Sequence, residues 1–109
     1  MALYYKYITV TVSSGAENVQ PILISTQAEP KTVKYIVSSL SGDNIDLLVY
    51  LEREKRADIP VDVLHSDQRK LDLDIALPVG QQLYVGFRNK TGSSIQGDIA
   101  VCYEITTAR

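Results

Sequence analysis

The sequence predicts an all-β protein: an eight-stranded antiparallel sandwich, jelly-roll-like, with an immunoglobulin-like sandwich as the alternative topology. Three observations lead there. Eight segments alternate apolar and polar residues with a period of two. Turn residues punctuate them at short, regular spacing. No stretch sustains a helical period. True immunoglobulin domains carry a Cys…Trp…Cys spacing, and this chain has one Cys and no Trp, which places the jelly roll first.

The clearest alternation runs from Lys70 to Asn89. Leu71, Leu73, Ile75 and Leu77 alternate with Asp72, Asp74 and Ala76. Leu83, Val85 and Phe87 repeat the pattern against Tyr84, Gly86 and Arg88. Successive side chains of a strand point to opposite faces, so each strand has one apolar and one wet face. Pro78 and Gly80 supply a turn, and the two strands read as an antiparallel pair.

The remaining elements follow in order. Leu3 to Val12 is the first strand, with Ile8, Val10 and Val12 on one face and Tyr5, Tyr7, Thr9 and Thr11 on the other. Ser13-Ser14-Gly15 is a turn. Val19 to Ser25 is the second strand, and Pro21 gives it an edge position or an irregular entry, because proline cannot donate to a ladder. Thr32 to Leu40 is the third, with Val33, Tyr35 and Val37 alternating with Lys34, Ile36 and Ser38. Ser41-Gly42-Asp43 is a hairpin-type turn into the fourth, Asn44 to Glu52, with Ile45, Leu47, Val49 and Leu51 inward. Arg53 to Arg56 is a charged tip. Ala57 to Leu64 is the fifth strand, on an edge because of Pro60. His65-Ser66-Asp67 is a turn. The last strand runs from Ile95 to Thr107, with a bulge expected at Gly97.

A chain of 109 residues makes one domain, 1–109, large enough to sustain a core without staples. A hydrophobic fraction of 45% excludes disorder. The formal net charge of -2 offers no electrostatic case for nucleic acid. The longest unbroken apolar run, Leu47 to Leu51, is far short of a membrane span. Met1-Ala2 reads as an intact start, and Lys6 interrupts the apolar segment that follows, so no signal peptide is expected. Cys102 has no cysteine partner for an internal disulfide.

Candidate chemistry is sparse, and the expectation is that the protein is not an enzyme and uses no cofactor or metal. Asp72 and Asp74 lie about 7 Å apart on one strand face, a spacing seen in glycoside chemistry. An open sheet face does nothing to raise a carboxyl pKa, so they read as a wet outer face. Asp43-Asn44-Ile45-Asp46 offers oxygen ligands but lacks the alternate ligands, glycine and distal Glu of a calcium loop. His65 stands alone, which argues against zinc. Gly92-Ser93-Ser94-Ile95-Gln96 fails as a nucleophile elbow at Gln96. Asn89-Lys90-Thr91 matches the glycosylation acceptor pattern and reads as a turn. Glu52-Arg53-Glu54-Lys55-Arg56 mixes signs and reads as a solvated tip.

The tyrosines are the more informative residues. Tyr4, Tyr5 and Tyr7 crowd the beginning of the chain, and Tyr50 and Tyr84 fall on the parity opposite the apolar residues of their own strands. These five are the candidate interaction surface, since aromatic residues outside a core often mark contacts.

The strand–turn series ending in Leu77-Pro78-Val79-Gly80-Gln81-Gln82-Leu83-Tyr84-Val85-Gly86-Phe87-Arg88-Asn89, followed by Ile99-Ala100-Val101-Cys102-Tyr103-Glu104-Ile105, resembles small all-β virion proteins of tailed bacteriophages, the kind that decorate or cement capsids. The resemblance is one of strand pattern and carries no functional residue over. It implies a structural virion protein made in the host cytoplasm, which contacts a major capsid or other virion protein. Self-association, expected as a trimer, follows from Tyr50, Tyr84 and the Tyr5/Tyr7 face, which exceed what one core can use. The alternative is a carbohydrate- or receptor-binding β-sandwich of tail-fibre or adhesin type, which requires an aromatic platform; the absence of Trp and the single Phe count against it.

Overall fold

The structure, a computed structural model, describes residues 3–39, 44–61 and 70–105. Its eight strands are β1 (Leu3–Val12), β2 (Glu17–Ile24), β3 (Lys31–Ser38), β4 (Ile45–Leu51), β5 (Glu54–Pro60), β6 (Lys70–Leu77), β7 (Gln82–Asn89) and β8 (Ile95–Ile105). They form two four-stranded antiparallel sheets, ordered β1-β8-β3-β6 and β2-β7-β4-β5. Successive strands change sheet at every connection except β4 to β5. This interleaving of two Greek keys is the jelly-roll order, the first of the two topologies that the sequence predicts.

Alternation explains the core. Val10 and Val12 of β1, Leu83, Val85 and Phe87 of β7, and Ile99 and Val101 of β8 are buried between the sheets with Leu47, Val49, Ile75 and Leu77. The expected pairing of β6 with β7 does not occur. β6 lies beside β3 in one sheet and β7 between β2 and β4 in the other. The intervening turn is a crossover: the Gln81 N–H donates to the Pro78 carbonyl at 3.0 Å, and Gly80 adopts φ 88°, as the third position of a type II turn requires. The only direct hairpin among the described strands is β4–β5. It turns on Glu52 and Arg53, with Glu52 at φ 55°, so β5 begins three residues earlier than the sequence predicts.

Two parity expectations also change. The register of β3 against both neighbours shifts between Val33 and Tyr35. Lys34 is the extra residue opposite β8, so Val33 and Ile36 are both buried and Tyr35 turns outward with Val37. Gly97, expected at a bulge, pairs with Val10 in an unbroken β1–β8 register. Besides the one in β3, register shifts sit at Pro21/Leu23 in β2 and where β5 meets Val49/Tyr50 of β4. β2 and β5 are edge strands, as Pro21 and Pro60 predict. The turns expected at Ser41-Gly42-Asp43 and His65-Ser66-Asp67 lie outside the described residues.

On the outer face of the second sheet, charges from four strands converge. The Arg88 guanidinium donates to Glu17 at 2.8 Å, to Asp46 at 2.8 Å and to Asp58 through two nitrogens at 2.8 and 2.9 Å. Lys90 adds a 3.2 Å ion pair to Asp46, and Lys55 one of 2.9 Å to Asp58. Hydrogen bonds from Arg88 first, and from Lys55 second, hold the Asp58 carboxyl down at about 2. A carboxyl pKa lowered by folding stabilises the fold above its unfolded value and loses that contribution as pH falls through the folded one. The melting midpoint should therefore fall from about pH 4 to about pH 2. In Arg88→Met that acid limb should flatten, which thermal melts at stepped pH would show. An unchanged acid limb in the variant would remove Arg88 from this role.

Candidate functional site

The five candidate tyrosines fall in three places, and the structure does not gather them into one patch. Tyr5 and Tyr7 stand on the outer face of the first sheet, 61% and 69% exposed. β1 puts them there because Ile8, Val10 and Val12 take the opposite parity into the core. The Tyr5 hydroxyl shares a 2.6 Å hydrogen bond with the hydroxyl of Tyr35, and the two rings meet edge to face at 6.2 Å.

Cys102 is the cross-strand partner of both Tyr5 and Tyr35. Its parity points outward, yet its exposure is 0%: the joined tyrosines close over it. The hydrogen bond from Tyr5 pushes the Tyr35 hydroxyl pKa upward, reinforced by burial and by the neighbouring thiol. The result is an exposed tyrosine face on a sheet, with Tyr5 held by Tyr35 and Tyr7 on the same parity beside it. Sequence reasoning missed Tyr35, because the bulge at Lys34 leaves no mark in the alternation.

Tyr4 takes the inward parity at the open end of the sandwich and stacks on Tyr103, with ring centroids 5.7 Å apart. Burial first, then the charge of Glu29, raises the Tyr103 pKa. A cleft of about 360 Å³ opens nearby, lined by Lys6, Ile22, Glu29, Lys31 and Tyr103 among others. Lys31 is buried there and donates to the carbonyls of Ile24 at 2.8 Å and Glu29 at 3.2 Å.

Tyr50 and Tyr84 are cross-strand neighbours on the outer face of the second sheet, on the far side of the molecule from Tyr5 and Tyr7. With Val19, Glu52 and Arg53 they line a depression of about 490 Å³. Lys55 Nζ lies 5.9 Å from the Tyr50 ring centroid, within cation–π range. One Glu52 carboxylate oxygen accepts from the Gln82 N–H at 2.6 Å.

The other candidates resolve into structural roles. Asp74 pairs with Lys34 at 3.5 Å on the outer face of the first sheet. Asp46 belongs to a strand and to the Arg88 network, not to a ligand loop. Asn89 is fully buried. Its amide donates to the carbonyls of Val12 at 3.0 Å and Ser93 at 2.8 Å, and its oxygen accepts from the Thr91 N–H at 2.9 Å and hydroxyl at 2.6 Å. In the folded chain this acceptor sequence is closed to a glycosylating enzyme. Among the described residues, no three His, Cys, Asp or Glu side chains are grouped as a metal site. His65 lies outside the described residues.

Fold and surfaces together define a jelly-roll domain with aromatic ground on both outer faces. The sequence matches no protein-family model and no curated protein.

Proposed function

We propose that the protein is a structural virion component of the capsid decoration or cement kind, holding its own copies and a major capsid or other virion protein through protein–protein contacts. One observation carries this reading: Tyr5 and Tyr7 stand exposed on a regular sheet, with Tyr5 fixed by Tyr35. Tyrosine gives a large, rigid contact area and a hydroxyl for a hydrogen bond. A platform ordered before binding loses little entropy on docking. The pattern-level resemblance to phage decoration proteins supports the same class.

The test is the Tyr5→Ala/Tyr7→Ala double variant. Both side chains project away from the core; truncating Tyr5 opens the Tyr35 hydroxyl to water and uncovers Cys102, so the melting midpoint should fall by only several degrees, the loss of about one hydrogen bond, or about 1 kcal/mol. Co-sedimentation with capsids should weaken by at least about a hundredfold, because buried aromatic anchors typically cost about 2 kcal/mol each on truncation. Capsid binding that survives in a folded double variant would overturn the reading.

The Tyr50–Tyr84 depression favours a second reading, a carbohydrate- or receptor-binding module. Paired rings beside Glu52 and Arg53 offer stacking and polar contacts to a sugar. Glycan-array binding that Tyr84→Ala abolishes would replace the virion reading with this one.

A further inference from the structure

We propose that β1 pairs edge to edge with β1 of a second copy, antiparallel and centred on Tyr5, joining the two β1-β8-β3-β6 sheets into one continuous sheet. This rests on the self-association in the reading above and specifies its geometry.

The backbone directions come first. Asp98 of β8 donates its N–H to the Ser39 hydroxyl at 2.8 Å and accepts from the Ser39 N–H at 2.9 Å. Both of its backbone groups thus face the β3 side. Asp98 is the partner of Thr9, so this pair exchanges no bonds, and the backbone groups of Thr9 point away from β8. By alternation, Leu3, Tyr5, Tyr7 and Thr11 do the same. Thr11 bears this out, since its carbonyl accepts from Asn18 Nδ2 of β2 at 2.9 Å. From Leu3 to Thr9 no backbone hydrogen bond among the described residues reaches this edge.

Among the described residues the sandwich has four edge strands, and three carry a proline, a bulge or several charges, devices that block pairing. β2 has Pro21 and a bulge. β5 has Pro60, a bulge and the charges of Glu54, Lys55 and Arg56. β6 has Asp72 and Asp74. β1 runs ten residues without proline or bulge in its register, and its single charge, Lys6 on the inward parity, blocks only those registers that leave it unmatched. A ring of three copies joined by edges would have to mate β1 with one of the blocked edges, because heterologous contacts use two different surfaces. A two-fold contact mates β1 with itself.

The one charge on β1 selects the register. Centring on Lys6 would place two ammonium groups directly opposite in a closely spaced pair, which is unfavourable. Centring on Tyr7 would form as many backbone bonds through Tyr5, Tyr7 and Thr9, but it brings Leu3 against Thr11, whose carbonyl is already engaged by Asn18, and sets Lys6 across from the second copy's Ile8, with no ring to meet. Centring on Tyr5 sets Lys6 across from the second copy's Tyr4, where a cation meets a ring. It forms about six backbone hydrogen bonds from the three pairs of outward-facing residues. It also merges the two Tyr5–Tyr7 faces into one aromatic surface.

Amide exchange by NMR on the full chain, at low and high micromolar concentration alongside sedimentation, tests this. Exchange at Tyr5 and Tyr7 should slow by at least about tenfold as dimer forms, while Tyr4, Lys6 and Ile8, bonded to β8, stay protected at both concentrations. Tyr5→Pro, which removes an edge donor that β8 does not use, should abolish the dimer, and Tyr5→Phe should keep it. A chain that stays monomeric at high micromolar concentration overturns both this proposal and the self-association it rests on. A trimer, or an assembly in which the Tyr5 and Tyr7 amides still exchange rapidly, overturns the edge contact alone and leaves docking through the tyrosine face standing.

Discussion

Asn89→Ala is expected to destabilise the fold by about 3 kcal/mol, because a buried polar group left without its partner costs roughly 1–3 kcal/mol. The amide of Asn89 satisfies the carbonyls of Val12 and Ser93 and the N–H and hydroxyl of Thr91. Its own backbone accepts from the Gly15 N–H at 2.9 Å and donates to the Ala16 carbonyl at 2.8 Å. One residue therefore ties the end of β1, the β1–β2 turn and the β7–β8 turn together at one end of the sandwich. Alanine strands several of those partners where water cannot fully replace the lost amide. For a domain of this size the loss corresponds to a drop of about 12–20 °C in melting midpoint. Urea unfolding should show the midpoint shifted with the slope preserved, as for a change in native stability alone. A shift below about 1 kcal/mol would mean that the turn relaxes and re-satisfies its own groups.

The sequence makes the strands and their buried faces legible, and it does so for a local reason. Val10 and Val12, or Leu83, Val85 and Phe87, sit two apart in one short segment, and the pleat alone assigns them to one side. Which strands pair is not a local property. Leu71–Leu77 and Leu83–Asn89 each show a clean apolar face, yet they lie in different sheets, because alternation specifies a face and leaves the neighbour open. The Arg88 network is hidden for the same reason: Glu17, Asp46 and Asp58 meet it only after four strands have been laid side by side. At the candidate surface, the outward parity of Tyr5 and Tyr7 is readable from Ile8, Val10 and Val12. Their separation from Tyr50 and Tyr84, on the opposite face of the sandwich, is not. Tyr35 is lost to a single inserted residue, Lys34, which reverses the parity of everything after it.

Gly86→Ala is expected to disrupt the second sheet, with a loss of about 3 kcal/mol or more, at the upper end of overpacking costs. Gly86 lies between Val19 of β2 and Leu48 of β4. A Cβ there would fall 1.8 Å from the Asn18 carbonyl oxygen and 2.6 Å from the Val19 Cα. Both atoms are backbone, so no rotamer change relieves the overlap, and β2 must move away from β7. That movement weakens the β2–β7 ladder on which Ile22 and Leu23 depend for their burial in the core. It also shifts Val19, which forms part of the wall of the Tyr50–Tyr84 depression. Gly92→Ala is the control: a Cβ at that position meets nothing within 4 Å, so its effect should stay within about 0.5 kcal/mol, as for most surface substitutions. Thermal and urea melts of the two variants side by side decide the matter. If Gly86→Ala melts within a degree or two of the parent, β2 is not held as close to β7 as this geometry requires. The disruption expected at Asn18 and Val19 would then be wrong.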